Sequence, residues 1–156
     1  MKVNVRRPTI EDYPDAERLM QQVHALHVAW RPDIFKSVET VLTRAMFEHD
    51  LANDTAFIAE VEGQAVGLMR INRFETGNFL TMNRKVLFID AMVVDEAFRK
   101  QGIGTALLDF LKEMKKIEGF DAIELQVAAR NESARALYAD AGFVDKAMIM
   151  ELTEDK

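Results

Sequence analysis

The chain has 156 residues, 49% of them hydrophobic and 29% charged, which is the size and balance of one globular domain with its own core. A formal net charge of −6 argues against a general nucleic-acid binder, and the lack of any cysteine excludes a disulfide scaffold, a thiolate zinc site and a cysteine nucleophile. No apolar run nears the ~18 residues a membrane span needs, and the opening MKVNVRRPTIED turns charged too early for a secretory leader, so a soluble, cytoplasmic protein is expected.

Val3 to Arg7 alternates apolar and polar residues and reads as a first strand, ended by Pro8. Thr9 or Asp12 caps the helix that follows, with Pro14 and Asp15 in its first turn. Its inward stripe is Ala16, Leu19, Met20, Val23, Leu26 and His27, and Pro32 breaks it near Trp30. A second helix is expected from Val38 to His49, with Val41, Leu42, Ala45 and Met46 inward. Ala56–Val61 and Ala65–Phe74 read as strands of a hairpin about Glu62-Gly63. Gly77-Asn78 marks a turn in a loop from Glu75 to Lys85.

Phe88 to Val94 is an apolar strand. A long helix pattern carries Ile103, Ala106, Leu107, Phe110, Leu111, Met114 and Ile117 on one face and ends at Gly119. Ala122 to Ala128 is a further strand, and Asn131 caps a short helix ending near Ala141-Gly142. Phe143-Val144 and Ala147–Leu152 make a last strand or hairpin, with Met148 and Met150, like Met114, as core filler. The lysine-rich run from Lys112 to Lys116 is the solvated face of the long helix. The order β-α-α-β-β-β-α-β-α-β predicts one α/β domain over residues 1–156, a mixed central sheet flanked by helices.

Between the apolar strand and the long helix stands Arg99-Lys100-Gln101-Gly102-Ile103-Gly104. The first N–H groups of a helix lack intrahelical partners, and the macrodipole is positive there. Glycines let an anion approach that backbone closely, so a phosphate or pyrophosphate is the natural guest. Arg99 and Lys100 add positive charge beside it. The dinucleotide fingerprint G-x-G-x-x-G fails because Leu107 occupies the third glycine position, and no Gly-Lys-Ser/Thr is present for a P-loop.

What remains, R-x-x-G-x-G after the strand Met92-Val93-Val94, resembles the acyl-coenzyme A signature of the GNAT N-acetyltransferase superfamily. A second constellation strengthens the resemblance. Leu125, Val127, Asn131, Ala134, Leu137-Tyr138 and Gly142-Phe143 match the pattern L-x-V-x-x-x-N-x-x-A-x-x-L-Y-x-x-x-G-F at each position. Read from spacing alone, Asn131 and Tyr138 lie on one helix face about 10 Å apart, where the first could be only a cap and the second only a core residue.

The resemblance implies a GNAT-like acyl-coenzyme A N-acyltransferase fold and transfer of an acetyl group from acetyl-coenzyme A to an amine, with no metal. The backbone of Gln101, Gly102, Ile103, Gly104 and Thr105 would hold the pyrophosphate, with Arg99 and Lys100 beside it. Met92, Val93 and Val94 would pair with the pantetheine arm, Asn131 would contact the coenzyme, and Tyr138 would give the leaving thiolate its proton. Asp90, which strand alternation places on the face of Met92 and Val94, would take the amine's proton or bind the ammonium; read alone, it could equally be a solvated carboxylate. His27 and Phe35 are candidate acceptor contacts; His24 and His27 lack a third ligand for a metal site. The expected partners are acetyl-coenzyme A and an amine acceptor, of small-molecule or amino-acid type. The competing readings are a protein or peptide N-acetyltransferase and a non-catalytic acyl-coenzyme A sensor. Superfamily members often dimerise, and the final strands are the candidate contact for a homodimer.

Overall fold

The structure is a computed structural model describing residues 1–154, and it divides into two units, Met1–Gln126 and Val127–Lys156. The first unit is built on one sheet of five strands, β1 (Asn4–Arg6), β2 (Ala56–Val61), β3 (Gln64–Asn78), β4 (Thr81–Val94) and β5 (Ala122–Leu125), which lie side by side in that order. β1 through β4 are antiparallel neighbours, while β5 runs parallel to β4. Parallel neighbours cannot be joined by a tight turn. Here helix α3 (Ile103–Glu118) makes the crossover, and α1 (Tyr13–Trp30) and α2 (Arg44–Asn53) come before β2.

Alternation along β3 sorts the two faces. Leu68 joins Ala16, Leu19 and Met20 of α1, Phe47 of α2, and Val93 of β4 in one buried cluster. On the other face Gly67 lies against Ile103 and Leu107 of α3, and Arg73 bonds Glu118 of α3 at 2.8 Å. Phe57 of β2, opposite Met69, packs against Phe110 of α3 with tilted rings whose centroids are 5.0 Å apart. Each fully buried side chain of this kind contributes about 1.5–3 kcal/mol.

α2 begins six residues later than the spacing predicts. The Glu17 carboxylate accepts the N–H groups of Val41 (3.1 Å) and Leu42 (2.8 Å), which a helix over 38–43 would need for itself. Thr43 then caps the helix by accepting from the Met46 N–H at 3.1 Å. The inward residues are Phe47 and Asp50; Leu42 is buried ahead of the helix, while Ala45 and Met46 face solvent. Glu75 to Lys85 is likewise not a loop: β3 and β4 pair through to Asn78 and Thr81, with Phe79-Leu80 as the turn. Gly77, at φ 146, is a bulge residue rather than the turn itself, for the register shifts between Thr76 and Asn78.

In the second unit α4 (Glu132–Asp140) is capped by Asn131, whose side chain accepts from the Ala134 N–H at 3.1 Å. Gly142, at φ 100, turns the chain out of the helix, and the Phe143 N–H bonds the Tyr138 carbonyl at 2.9 Å. The expected strand or hairpin over Phe143-Val144 and Ala147–Leu152 is absent from the described residues. A strand needs a ladder, and no strand lies within 127–154 to pair with it. Met148 and Met150 are 81% and 88% exposed, so of the three methionines read as filler only Met114, 5% exposed, is buried. Among the described residues no helix is long and apolar enough to cross a membrane.

Candidate functional site

The glycine bend is anchored from below by Asp95. Its N–H bonds the Val66 carbonyl at 2.8 Å, and its buried carboxylate binds Arg18 of α1 at 2.7 Å, the Ala97 N–H at 3.1 Å and Gln22 at 3.4 Å. Burial alone would raise this carboxyl, but the Ala97 N–H, Arg18 and Gln22 favour its ionised form and hold it below the usual carboxylate range. A short 3-10 turn, Glu96–Phe98, starts on this cap.

Lys100 at φ 60 and Gly102 at φ 84 then carry the chain through the left-handed region into α3. A Cβ on Gly102 would meet nothing within 4 Å, so its glycine is required by conformation and not by space. The helix ladder opens with the Ala106 N–H on the Gly102 carbonyl at 3.0 Å. The N–H groups of Ile103, Gly104 and Thr105 therefore precede the first intrahelical bond. Arg99, Lys100, Gln101 and Thr105 are exposed around them, and the Arg99 guanidinium donates to the Val94 carbonyl at 3.3 Å. Gly67 seats this helix start: a Cβ there would stand 3.1 Å from both Ala59 Cβ and Ile103 Cγ2.

Beside the bend, β4 changes character. β5 pairs with it only over Val86 to Ile89. Beyond that, within the first unit, the Asp90–Val94 edge has β3 on one side and no strand on the other. The change coincides with a β-bulge. Arg70 of β3 pairs with Ala91 and Ile71 with Ile89, which leaves Asp90 as the extra residue. Met92, Val93 and Val94 follow on the freed edge, in register with Met69, Leu68 and Gly67.

The bulge corrects the expected facing of Asp90. Met92 pairs with Met69, on the α3 face. Asp90 instead accepts from Asn72 at 2.7 Å, and Asn72 shares the α1–α2 face with Leu68 and Arg70. Alternation runs through a strand only while the ladder is regular, and one inserted residue turns the side chain over. Asp90 thus lies beside Arg70, whose guanidinium is held by Asp50 of α2 at 2.7 Å; Thr55 donates to the other Asp50 oxygen at 2.7 Å. Restricted hydration raises the Asp90 carboxyl above its ordinary range, against the lowering pull of Arg70 and Asn72, and Asp50 raises it further.

His27 and Phe35 do come together, stacked at 5.0 Å, with the His24 ring 6.2 Å from Phe35 and Trp30 6.0 Å from His27. Burial and the neighbouring His24 lower the His27 imidazole, which keeps it neutral at pH 7. Asn131 and Tyr138 belong to the second unit. The Asn131 oxygen is engaged in capping. Tyr138 packs edge-on against Phe143 at 5.4 Å, and burial pushes its phenol up to about 12. Among the described residues no group of three potential ligands could hold a metal. Sequence reasoning missed Arg70, Asn72, Asp50 and Gly67. Arg70 and Asp90, charges inside apolar strands, were the available signal, because a strand interior keeps a charge only where it has a partner.

The profile of the acetyltransferase (GNAT) family matches residues 20–143. Over 96 residues, 62% of the chain, there is 34% identity to an uncharacterized N-acetyltransferase of Methanocaldococcus jannaschii, and the chain spans 42% of that relative's length. The BH1408 protein of Bacillus halodurans, solved as a tetramutant, superposes with a TM-score of 0.90 at 32% identity, covering 97% of this chain and 99% of that one. An aminoglycoside N-acetyltransferase, AAC(6')-Iy, in complex with CoA gives a TM-score of 0.72 at 15% identity, covering 98% and 100%, a likeness of fold.

Proposed function

The chain belongs to the acetyltransferase (GNAT) family, and we propose on that premise that it moves an acetyl group from acetyl-coenzyme A to a primary amine of a small or amino-acid-like acceptor. The observation that carries the reading is the pairing of two open backbones: the first-turn N–H groups of α3 after the left-handed Gly102, and the freed edge of β4 after the Asp90 bulge. The chemistry of both suits the coenzyme. Unpaired donors at a helix start with Arg99 and Lys100 beside them suit a diphosphate, and an open strand edge suits the amide groups of pantetheine.

Acetyl-coenzyme A supplies an acyl carbon activated by its thioester. The residues of the chain manage charge and protons around it. Backbone N–H groups of Gln101–Thr105 hold the diphosphate, and an N–H of Met92–Val94 polarises the acyl oxygen. Asp90 is the base that receives the proton of the acceptor amine, and its raised carboxyl range makes it a stronger base than an ordinary aspartate. Tyr138, whose phenol stays protonated up to about 12, is the donor for the departing thiolate. Asn131 contacts the coenzyme, and the His27–Phe35 stack is an acceptor contact of aromatic and neutral character.

The reading is tested by titrating purified protein with acetyl-coenzyme A in a calorimeter, then measuring thiol release with a panel of small amines and basic peptides. Saturable heat and acceptor-dependent thiol release with small amines are expected. Release with peptides alone would make it a protein or peptide acetyltransferase, binding without release a sensor, and no heat would overturn the proposal.

A further inference from the structure

We propose that Asn72, together with Arg70 clamped by Asp50, positions the Asp90 carboxylate for proton transfer, an arrangement made possible by the bulge that turns Asp90 toward them. The inference rests on the reading of Asp90 as the base. Its own support is geometric. Asn72 Nδ2 donates to one Asp90 oxygen, Oδ2, at 2.7 Å, and among the described residues no hydrogen bond engages the other. One oxygen is therefore fixed while its twin is left to take a proton.

Arg70 is not free to collapse onto Asp90. Its Nε is bonded to the buried Asp50 at 2.7 Å, and Asp50 is held in turn by the Thr55 hydroxyl at 2.7 Å. Arg70 acts on Asp90 as a fixed neighbouring charge, without a direct ion pair that would hold the carboxylate permanently ionised and weakly basic. Among the described residues of the first unit, the charged groups facing Asp90 are Arg70 from β3 and Asp50 from α2. A merely structural Asp50–Arg70 pair would need neither Asn72 nor the bulge.

The test is a carbon-13 NMR titration of the aspartate carboxyls, with the Asp90 signal assigned by its loss in Asp90→Asn. It needs no acceptor. Asn72 is exposed, so Asn72→Leu is expected to fold normally. It removes the donor that favours the ionised form, and the Asp90 midpoint should rise. The paired change Asp50→Asn with Arg70→Gln, which leaves no buried charge unmatched, should also raise it, because the pull of Arg70 outweighs the push of Asp50. An unmoved midpoint in both variants would overturn the positioning role. If instead the midpoints shift as expected but Asp90→Asn transfers acetyl groups at the wild-type rate, the hold of Asn72 and Arg70 on Asp90 stands, but the assignment of Asp90 as base falls, and its positioning for proton transfer falls with it.

Discussion

Two carboxylates five residues apart, Asp90 in the bulge of β4 and Asp95 in the link beyond it, sit in contrasting surroundings. Asp95 is buried and fully engaged: an arginine, a glutamine and a backbone N–H converge on it, and its ionised form is favoured. Asp90 is open to solvent on one side, but among the described residues its carboxyl has one hydrogen bond, and its limited hydration holds it above its usual range. The difference separates the scaffold role of Asp95 from the proton-transfer role proposed for Asp90. A carboxylate saturated with donors is a fastener that ties β4 to α1, whereas one left short of donors retains affinity for a proton.

The comparison breaks most sharply with Asp90→Asn. Acetyl transfer at neutral pH should fall by about 10²–10⁴-fold, the usual contribution of a general base, with acetyl-coenzyme A binding kept. The same change should leave Tm unchanged or slightly higher, since a raised carboxyl range means the folded state holds that charge at a cost. Wild-type rates from this variant would remove Asp90 from the mechanism.

Asp95→Ala should do the reverse. Loss of its bonds to Arg18, Gln22 and the Ala97 N–H should lower stability by about 1–3 kcal/mol, read by urea unfolding, while a folded sample retains turnover at low temperature. A somewhat smaller effect is expected at the bend. Gly102→Ala forces a side chain into the left-handed region at roughly 1–2 kcal/mol, and it should weaken acetyl-coenzyme A binding by reshaping the first turn of α3. Unaltered affinity there would show that the glycine serves the fold alone.

The smallest effect is in the pH dependence. Asp95 has a depressed range when folded, so its stabilisation is present above the unfolded value of ~3.9 and disappears as pH falls through the folded one. Asp90 is raised, so its contribution has the opposite sign: protonation as pH falls through the folded range relieves a cost. Acid unfolding of Asp95→Asn should be flatter than wild type below pH ~4, and that of Asp90→Asn steeper over the range just above it.

Much of this architecture is legible in the sequence because its signals are local. The apolar stripe of α3 from Ile103 to Met114, the Gly102 entry and Gly119 exit, and the β2–β3 hairpin each follow from residues close together in the chain, although Ile117, expected on that stripe, is 78% exposed. The failures are where a distant partner intervenes. Glu17, 24 residues before Val41, takes the N–H groups that the start of a longer α2 would have used. Gly77, a turn signal in the sequence, is a bulge in the structure, because pairing continues past it to Asn78 and Thr81. The facing of Asp90 departs from alternation for the same reason: a bulge is a property of two strands, and no alternation rule applied to one of them contains it. The alternating segment Ala147–Leu152 has a strand's pattern without a strand's ladder.

The central claim, that open backbone at the start of α3 and along the freed end of β4 grips acetyl-coenzyme A, is tested most directly by amide NMR during titration with the coenzyme. Saturable shifts should concentrate at Met92–Val94 and Gln101–Thr105, with Val86–Ile89, the stretch of β4 already paired on both sides, nearly still. Shifts confined to other parts of the chain, or none at all, would contradict the account.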